Sequence, residues 1–308
     1  MKRAGCLFFA VVPVLVTAGA YFVLPSDSEA PTTKDSVSAS QSARDDARAK
    51  AERNQEAEER AADDKLIASL PPGLAARDKK EIAHRIVSTA ENSTLDWRSS
   101  YGYIEDLGDG QGYTAGIAGF CTGTHDLLAL VERYTKAHPD NGLAAYLPAL
   151  REVDGTDSHE GLDPGFTDAW RAEAEVPAFR KAQEKERDRA YFDPAVRLAK
   201  LDGLGTLGQF VYYDAMVFHG PDTDPDGFYG MRERALETAD TPAAGGSETE
   251  FLNAFLDARR AAMKSSGNER TTDTSRVDTA QRRFLQAGNL ELNTPLEWQL
   301  YGETYRLP

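Results

Sequence analysis

From Leu66 onward, apolar residues recur mostly three and four positions apart, the spacing of one face of an α-helix. The pattern predicts helices over 77–91, 124–137, 142–150, 165–172, 176–189, 194–218, 230–238, 247–264 and 276–287. One stretch departs from it. In YGYIEDLGDGQGYTAGIAGF, residues 101–120, glycines interrupt an alternation of aromatic, Thr and Ile residues, which predicts a small antiparallel sheet. Residues 25–66 contain almost no large apolar side chains and cannot bury enough surface to offset ordering, so a disordered linker is expected. The second part of that linker carries charges at helical spacing, which favours partial helix. No internal repeat is visible. The expected fold class is mainly α with a small antiparallel β-sheet.

Three helical rows are broken by a charge. In DKKEIAHRIVSTAEN the row Ala83, Val87 continues to Glu91. The row Leu207, Val211, Asp214, Phe218 contains Asp214, and the row Leu252, Phe255, Arg259, Ala262 contains Arg259. An isolated buried charge is too costly to keep. Asp214 and Arg259 are therefore expected to pair across two helices, with Arg276 as a further partner. Glu91 differs because it lies at the end of its helix, where a cleft can begin. A carboxyl group partly withdrawn from water there favours its protonated form, the state a general acid needs. Asp109, between Gly108 and Gly110, offers a second carboxylate, although a GDG triplet alone is an ordinary turn. Two carboxylates on opposite sides of a glycosidic bond would define a glycoside hydrolase.

The N-terminus adds a destination. Lys2 and Arg3 precede an uncharged run from Ala4 to Leu24, which reads as an export signal cleaved after Ala20 or as a retained membrane anchor. The expected organisation is residues 1–24 signal or anchor, 25–66 linker and 67–308 a catalytic domain. Of the two cysteines, Cys6 belongs to the signal, which leaves Cys121 without an internal partner and the fold resting on its core. The formal net charge is -15. Phosphate polymers would be repelled by such a surface, whereas a cationic ligand would be steered toward it.

Other signals are weaker. Asp222, Asp224, Asp226, Gly227 and Glu233 match the spacing of an EF-hand calcium loop. Pro225 and the single occurrence weigh against that reading, and an acidic turn before a helix is the plainer one. The NST triplet at Asn92 matches a glycosylation sequon but adjoins the proposed acid. The five histidines show no metal-binding spacing, and GDGQG lacks the Lys and Ser/Thr of a phosphate loop. No cofactor is expected.

Several long segments, in order, resemble the glycoside hydrolase family 46 chitosanases, secreted bacterial enzymes that cut chitosan internally. They are STAENSTLDW, YIEDLGDGQGYTAGIAGFCTGT, RDRAYFDPAV, LGQFVYYDAMVFHGP, LNAFLDARRAAM, DTSRVDTAQRRFLQAGNLEL and PLEWQLYGETY, and together they cover about residues 75 to 305. The resemblance implies a lysozyme-like, two-lobed fold around a long cleft. It implies Glu91 as general acid, Asp109 as general base and Thr114 as a holder of the attacking water. An inverting enzyme of this kind keeps its carboxyl groups about 6.5–9.5 Å apart. By the same resemblance Asn92, Tyr103, Asp126, His219 and Gly220 bind substrate, with Asp126 taking a glucosamine ammonium group. Asp214, Arg259 and Arg276 form an ionic network behind the acid, in agreement with the helical rows.

Two departures from the family pattern stand out. Gln111 occupies a position where relatives often carry Arg, and the loop MKSSGNERTTDTSR is slightly longer, with Glu269 or Asp273 as substitutes for its acidic cleft residues. The implied partner is chitosan, a polycation, bound by a monomer that is extracellular or anchored outside the membrane. A hydrolase of another amino-sugar glycan such as peptidoglycan, and a surface chitosan-binding protein with little catalysis, remain the alternatives.

Overall fold

The computed structural model describes residues 35–265 and 272–308, with side chains from residue 48 onward. The apolar run at 4–24 and Glu269 therefore lie outside the described residues. The described residues up to Glu59 and those from Arg60 onward form separate units. The charged segment is helical where described: α1 spans Asp35–Ser69. Among the described residues no helix is long and apolar enough to cross a membrane.

The remaining elements form two packed groups. One contains the three-stranded sheet β1 (Ile104–Asp106), β2 (Tyr113–Ala115) and β3 (Phe120–Cys121), with helices α3 (Asp126–Ala137), α4 (Leu147–Val153), α5 (Phe166–Glu173) and α6 (Pro177–Arg187). The other contains α2 (Arg77–Asn92), α7 (Asp193–Leu201), α8 (Thr206–His219), α9 (Phe228–Leu236), α10 (Glu248–Ser265), α11 (Arg282–Gln286) and the hairpin β4 (Leu296–Leu300) and β5 (Glu303–Leu307). A π turn, Asp188–Phe192, joins α6 to α7 and so carries the chain from one group to the other. π turns interrupt helices mostly at functional places.

Helix α8 is the centre of the second group. Leu207, Phe210, Val211, Tyr212 and Tyr213 are all buried there, as are the polar Gln209 and Asp214, so the helix is covered on every side as a core helix is. It meets α2 through a hydrogen bond between Tyr213 Oη and His84 Nδ1, 3.2 Å. The hairpin β4–β5 closes over the other side of α2, where Trp298 Nε1 donates to Thr89 Oγ1 at 3.1 Å, both residues fully buried.

Two expectations are corrected. The helix expected over 194–218 is two helices, because the chain turns at 202–205. Gly203 adopts φ +78, and a Cβ there would lie 2.8 Å from the Ala243 nitrogen. Asp202 fixes the turn by accepting from Tyr212 Oη at 2.7 Å and Arg232 Nε at 2.8 Å. The hairpin at 296–307 was not expected. Its strand β4 alternates buried and more exposed positions, and Tyr301 and Gly302 both take positive φ, which suits a two-residue hairpin turn.

The expected sheet at 101–120 forms with Thr114 opposite Glu105 on one side and Cys121 on the other. Gly108, Gly110 and Gly112 between β1 and β2 all have positive φ. Side chains rarely adopt that conformation, which explains three glycines around one aspartate.

Candidate active site

Glu91 sits in the last turn of α2, before Ser93 ends the helix in the left-handed region at φ 52. The residue as a whole is exposed, yet its side chain retains only 25% of its exposure, so much of what solvent reaches is backbone. The carboxylate turns instead onto a buried cation: Arg276 Nη1 lies 2.7 Å from Glu91 Oε1. The withdrawal from water expected at this helix end is therefore accompanied by a charged partner.

Arg276 belongs to an ionic cluster inside the second group of helices. Its Nε and Nη2 donate to Asp214 Oδ1 at 3.0 and 2.9 Å, a two-pronged contact. Asp214 Oδ2 also accepts from Arg259 Nη1 and from Gln281 Nε2, each at 2.6 Å. Asp214, Arg259, Arg276 and Gln281 are all buried. With Glu91 ionised, two guanidinium groups face two carboxylates and the cluster is neutral. Burial would push the Asp214 carboxyl up, but Arg276 and Arg259 outweigh it and hold the group at about 2. At the far end His219 Nε2 accepts from Arg259 Nε at 3.4 Å. Burial, with the Arg259 and Arg276 charges added, pulls His219 down to about 2, so its ring is neutral. The π turn Arg276–Gln281 brings its first and last residues to the same carboxylate. Gln281 carries no charge to mark it, and its role was not legible in the sequence.

Glu91, Asn92, Ser93, Thr94, Ser99, Ser100 and Tyr103 line a cavity of about 510 Å³. Asn92 Nδ2 is buried without an acceptor among the described residues. A donor left so is costly unless a ligand or water fills it. Tyr103 Oη donates to Glu105 at 3.3 Å.

Asp109 lies at the tip of the β1–β2 turn, half-buried, where its Oδ1 accepts from the Gln111 N–H at 3.1 Å. Thr114 Oγ1 lies 3.3 Å from Cys121 Sγ across β2–β3. Gln111 Oε1 also accepts from that thiol, at 3.4 Å. Burial pushes the thiol up to about 12, which keeps it a protonated, unreactive neighbour. Asp126 is engaged at both oxygens, accepting from the Cys121 N–H and Thr124 Oγ1, each at 2.8 Å, and from Tyr191 Oη. Burial pushes the Asp126 carboxyl up against these bonds. Tyr191, in the π turn between α6 and α7, thus ties Asp126 to the segment that joins the two groups of helices. Its segment was quoted for the resemblance, but the tyrosine was not singled out.

The remaining candidates divide. Gly220 ends α8 with φ 72, next to His219. Asp273 is occupied by the Ser275 N–H at 2.7 Å. The EF-hand spacing does not make a calcium site. Asp226 turns away to accept from Ser265 Oγ at 2.8 Å, while backbone carbonyls of Asp222 and Asp224 are taken by the N–H groups of Tyr229 and Gly227. Among the described residues no three His, Cys, Asp or Glu side chains converge as a metal site would require.

The chain belongs to glycosyl hydrolase family 46, whose model matches residues 85–296. It is 59% identical over 233 residues to the chitosanase of Streptomyces sp. (strain N174), covering 76% of this chain and 83% of that one. It is 39% identical to the chitosanase of Bacillus subtilis (strain 168), covering 71% and 81%. Among solved structures, a co-crystal of chitosanase OU01 with substrate superposes with a TM-score of 0.75 at 52% identity, covering 77% of this chain and 99% of the other. A native chitosanase from Bacillus subtilis MY002 superposes with a TM-score of 0.70 at 37% identity, covering 76% and 99%.

Proposed function

We propose that the chain is an exported endo-chitosanase that hydrolyses β-1,4 links between glucosamine units with inversion. The observation that carries this reading is the 2.7 Å contact between Glu91, at the cavity wall, and Arg276 in the core, in a chain of family 46. Glu91 gives its proton to the leaving oxygen. The carboxylate left behind is the charge that balances Arg259, Arg276 and Asp214, so donation restores a neutral cluster. Asp109 takes a proton from water, and Thr114 orients that water toward the anomeric carbon. The idle Asn92 Nδ2 donates to a sugar hydroxyl, and Asp126 faces an ammonium group.

Reducing-end release from chitosan by the wild type, Glu91→Gln and Asp109→Asn tests the roles. Each variant is expected to lose at least about a hundredfold in kcat, and a near-normal rate removes that residue from the mechanism. Chitin and cell walls serve as comparison substrates and are expected to be cut far more slowly. Proton NMR of the first product is expected to show the α anomer; an initial β product contradicts inversion.

A further inference from the structure

Asp109, the proposed base, sits in the turn between β1 and β2, after Asp106 and before Tyr113. Asp106 ends β1, Tyr113 begins β2, and the two are paired in the sheet. Between them Gly108, Gly110 and Gly112 take positive φ, and glycine is the least restrained of backbones. The direction of Asp109 is therefore set largely by what holds Asp106 and Tyr113.

Both are held by one side chain from outside the sheet. His159 lies in the connection between α4 and α5. Its ring stacks on that of Tyr113, with centroids 4.0 Å apart and planes 9° apart. Its Nε2 lies 3.2 Å from Asp106 Oδ2, while Asp106 Oδ1 accepts from the Gly108 N–H at 2.8 Å and so opens the turn. Its Nδ1 lies 3.5 Å from Asp163 Oδ2, and Asp163 Oδ1 accepts from Tyr113 Oη at 2.6 Å. Burial and the Asp163 carboxylate push Tyr113 up to about 12, so its hydroxyl stays a donor. The same connection backs the far end of the turn, where a Cβ on Gly112 would meet Thr156 O and Asp157 Cα at 3.2 Å. His159 Nε2 is itself shielded from water without an aligned hydrogen bond. A polar atom left so is costly, and the Asp106 carboxylate beside it is the group that can relieve that cost.

We propose that His159 is a positioning residue for the hydrolysis. Stacked on Tyr113 and set between Asp106 and Asp163, it latches both ends of the turn and so aims the Asp109 carboxylate at the attacking water. This rests on Asp109 being the base. Small displacements of a catalytic group are expensive in rate, which is what such a latch prevents.

The test compares His159→Phe with His159→Gln in the full chain. Phe keeps a ring on Tyr113 and removes both nitrogens, whereas Gln keeps an N–H for Asp106 and removes the ring. Thermal unfolding is expected to rank His159→Phe as the more stable variant. On chitosan the order is expected to reverse: His159→Phe loses about tenfold in kcat with KM within about twofold, and His159→Gln recovers part of that loss. A side chain that only packs would give one order in both measurements. Hydrogen exchange of the segment 106–113, followed by mass spectrometry, is expected to quicken in His159→Phe. Unchanged exchange overturns the proposal. So does a wild-type kcat in His159→Phe, or a kcat lower in His159→Gln than in His159→Phe, where Asp109→Asn is inactive. An active Asp109→Asn sinks the reading of Asp109 as base instead, and exchange alone then decides whether His159 latches the turn.

Discussion

Asp214 lies between Arg259 and Arg276, and neither guanidinium is open to water. Asp214→Asn leaves two buried cations opposed only by Glu91. The expected cost is about 3–5 kcal/mol of stability, measured by urea unfolding. Loss of the two-pronged contact also frees Arg276 to shift, so kcat on chitosan is expected to fall more than KM changes. The same residues set the response to acid. Asp214 is held at about 2 against an ordinary 3.8, so its contribution is complete above pH 4 and is lost as pH falls toward 2. His219, also held at about 2 but with an ordinary value of 6.5, is neutral when folded and protonated when unfolded below 6.5. Its neutral form therefore favours the folded state less and less as pH drops from 6.5. The melting temperature is expected to decline gently from pH 6.5 and steeply below 4. His219→Gln is expected to shrink the gentle limb, whose remainder comes from the buried His84, also held well below the ordinary histidine value by burial, and to leave the steep one, as calorimetric melts across pH would show. That Asp214 and Arg259 broke apolar rows was legible in the sequence. Gln281 was not, because an amide in a helix looks like any surface residue until the π turn aims it at a carboxylate.

At the scale of elements, the turn that carries Asp109 invites a graded comparison. Gly110 has φ +85 with nothing within 4 Å of an added Cβ, whereas at Gly112 that atom would lie 2.2 Å from Thr122 Oγ1. Gly110→Ala should cost only the left-handed backbone term, about 1–2 kcal/mol. Gly112→Ala adds displacement of Thr122, which accepts from the Tyr113 N–H at 3.1 Å and so anchors the start of β2. Thermal unfolding is expected to rank Gly112→Ala as the more damaging, with the larger loss of activity because Thr114 moves with the strand. Long apolar rows placed most helices from sequence alone. The break at 202–205 escaped because α7 and α8 continue similar rows, and the corner is defined by Gly203 and by the bonds of Tyr212 and the distant Arg232 to Asp202. The calcium spacing, already the weaker reading of its segment, shows the opposite case: regular intervals say nothing of where Asp226 turns.

At the scale of the molecule, the formal charge of -15 meets a substrate of opposite sign. Attraction between exposed charges is screened over about 10 Å at 0.1 M salt. KM for chitosan is therefore expected to rise with NaCl while kcat stays nearly constant, in steady-state assays between low salt and 0.5 M. An equal fall in both would place the salt effect in the chemistry instead. The hairpin at 296–307 carries a consequence in time. Its Trp298 is bonded to Thr89, two residues before Glu91, across 209 positions of sequence. Ribosomes make that strand after every other described element except its own partner. A nascent chain can thus pack one side of the helix that ends at Glu91 against α8 early, but leaves the side at Thr89 uncovered until Trp298 has been made.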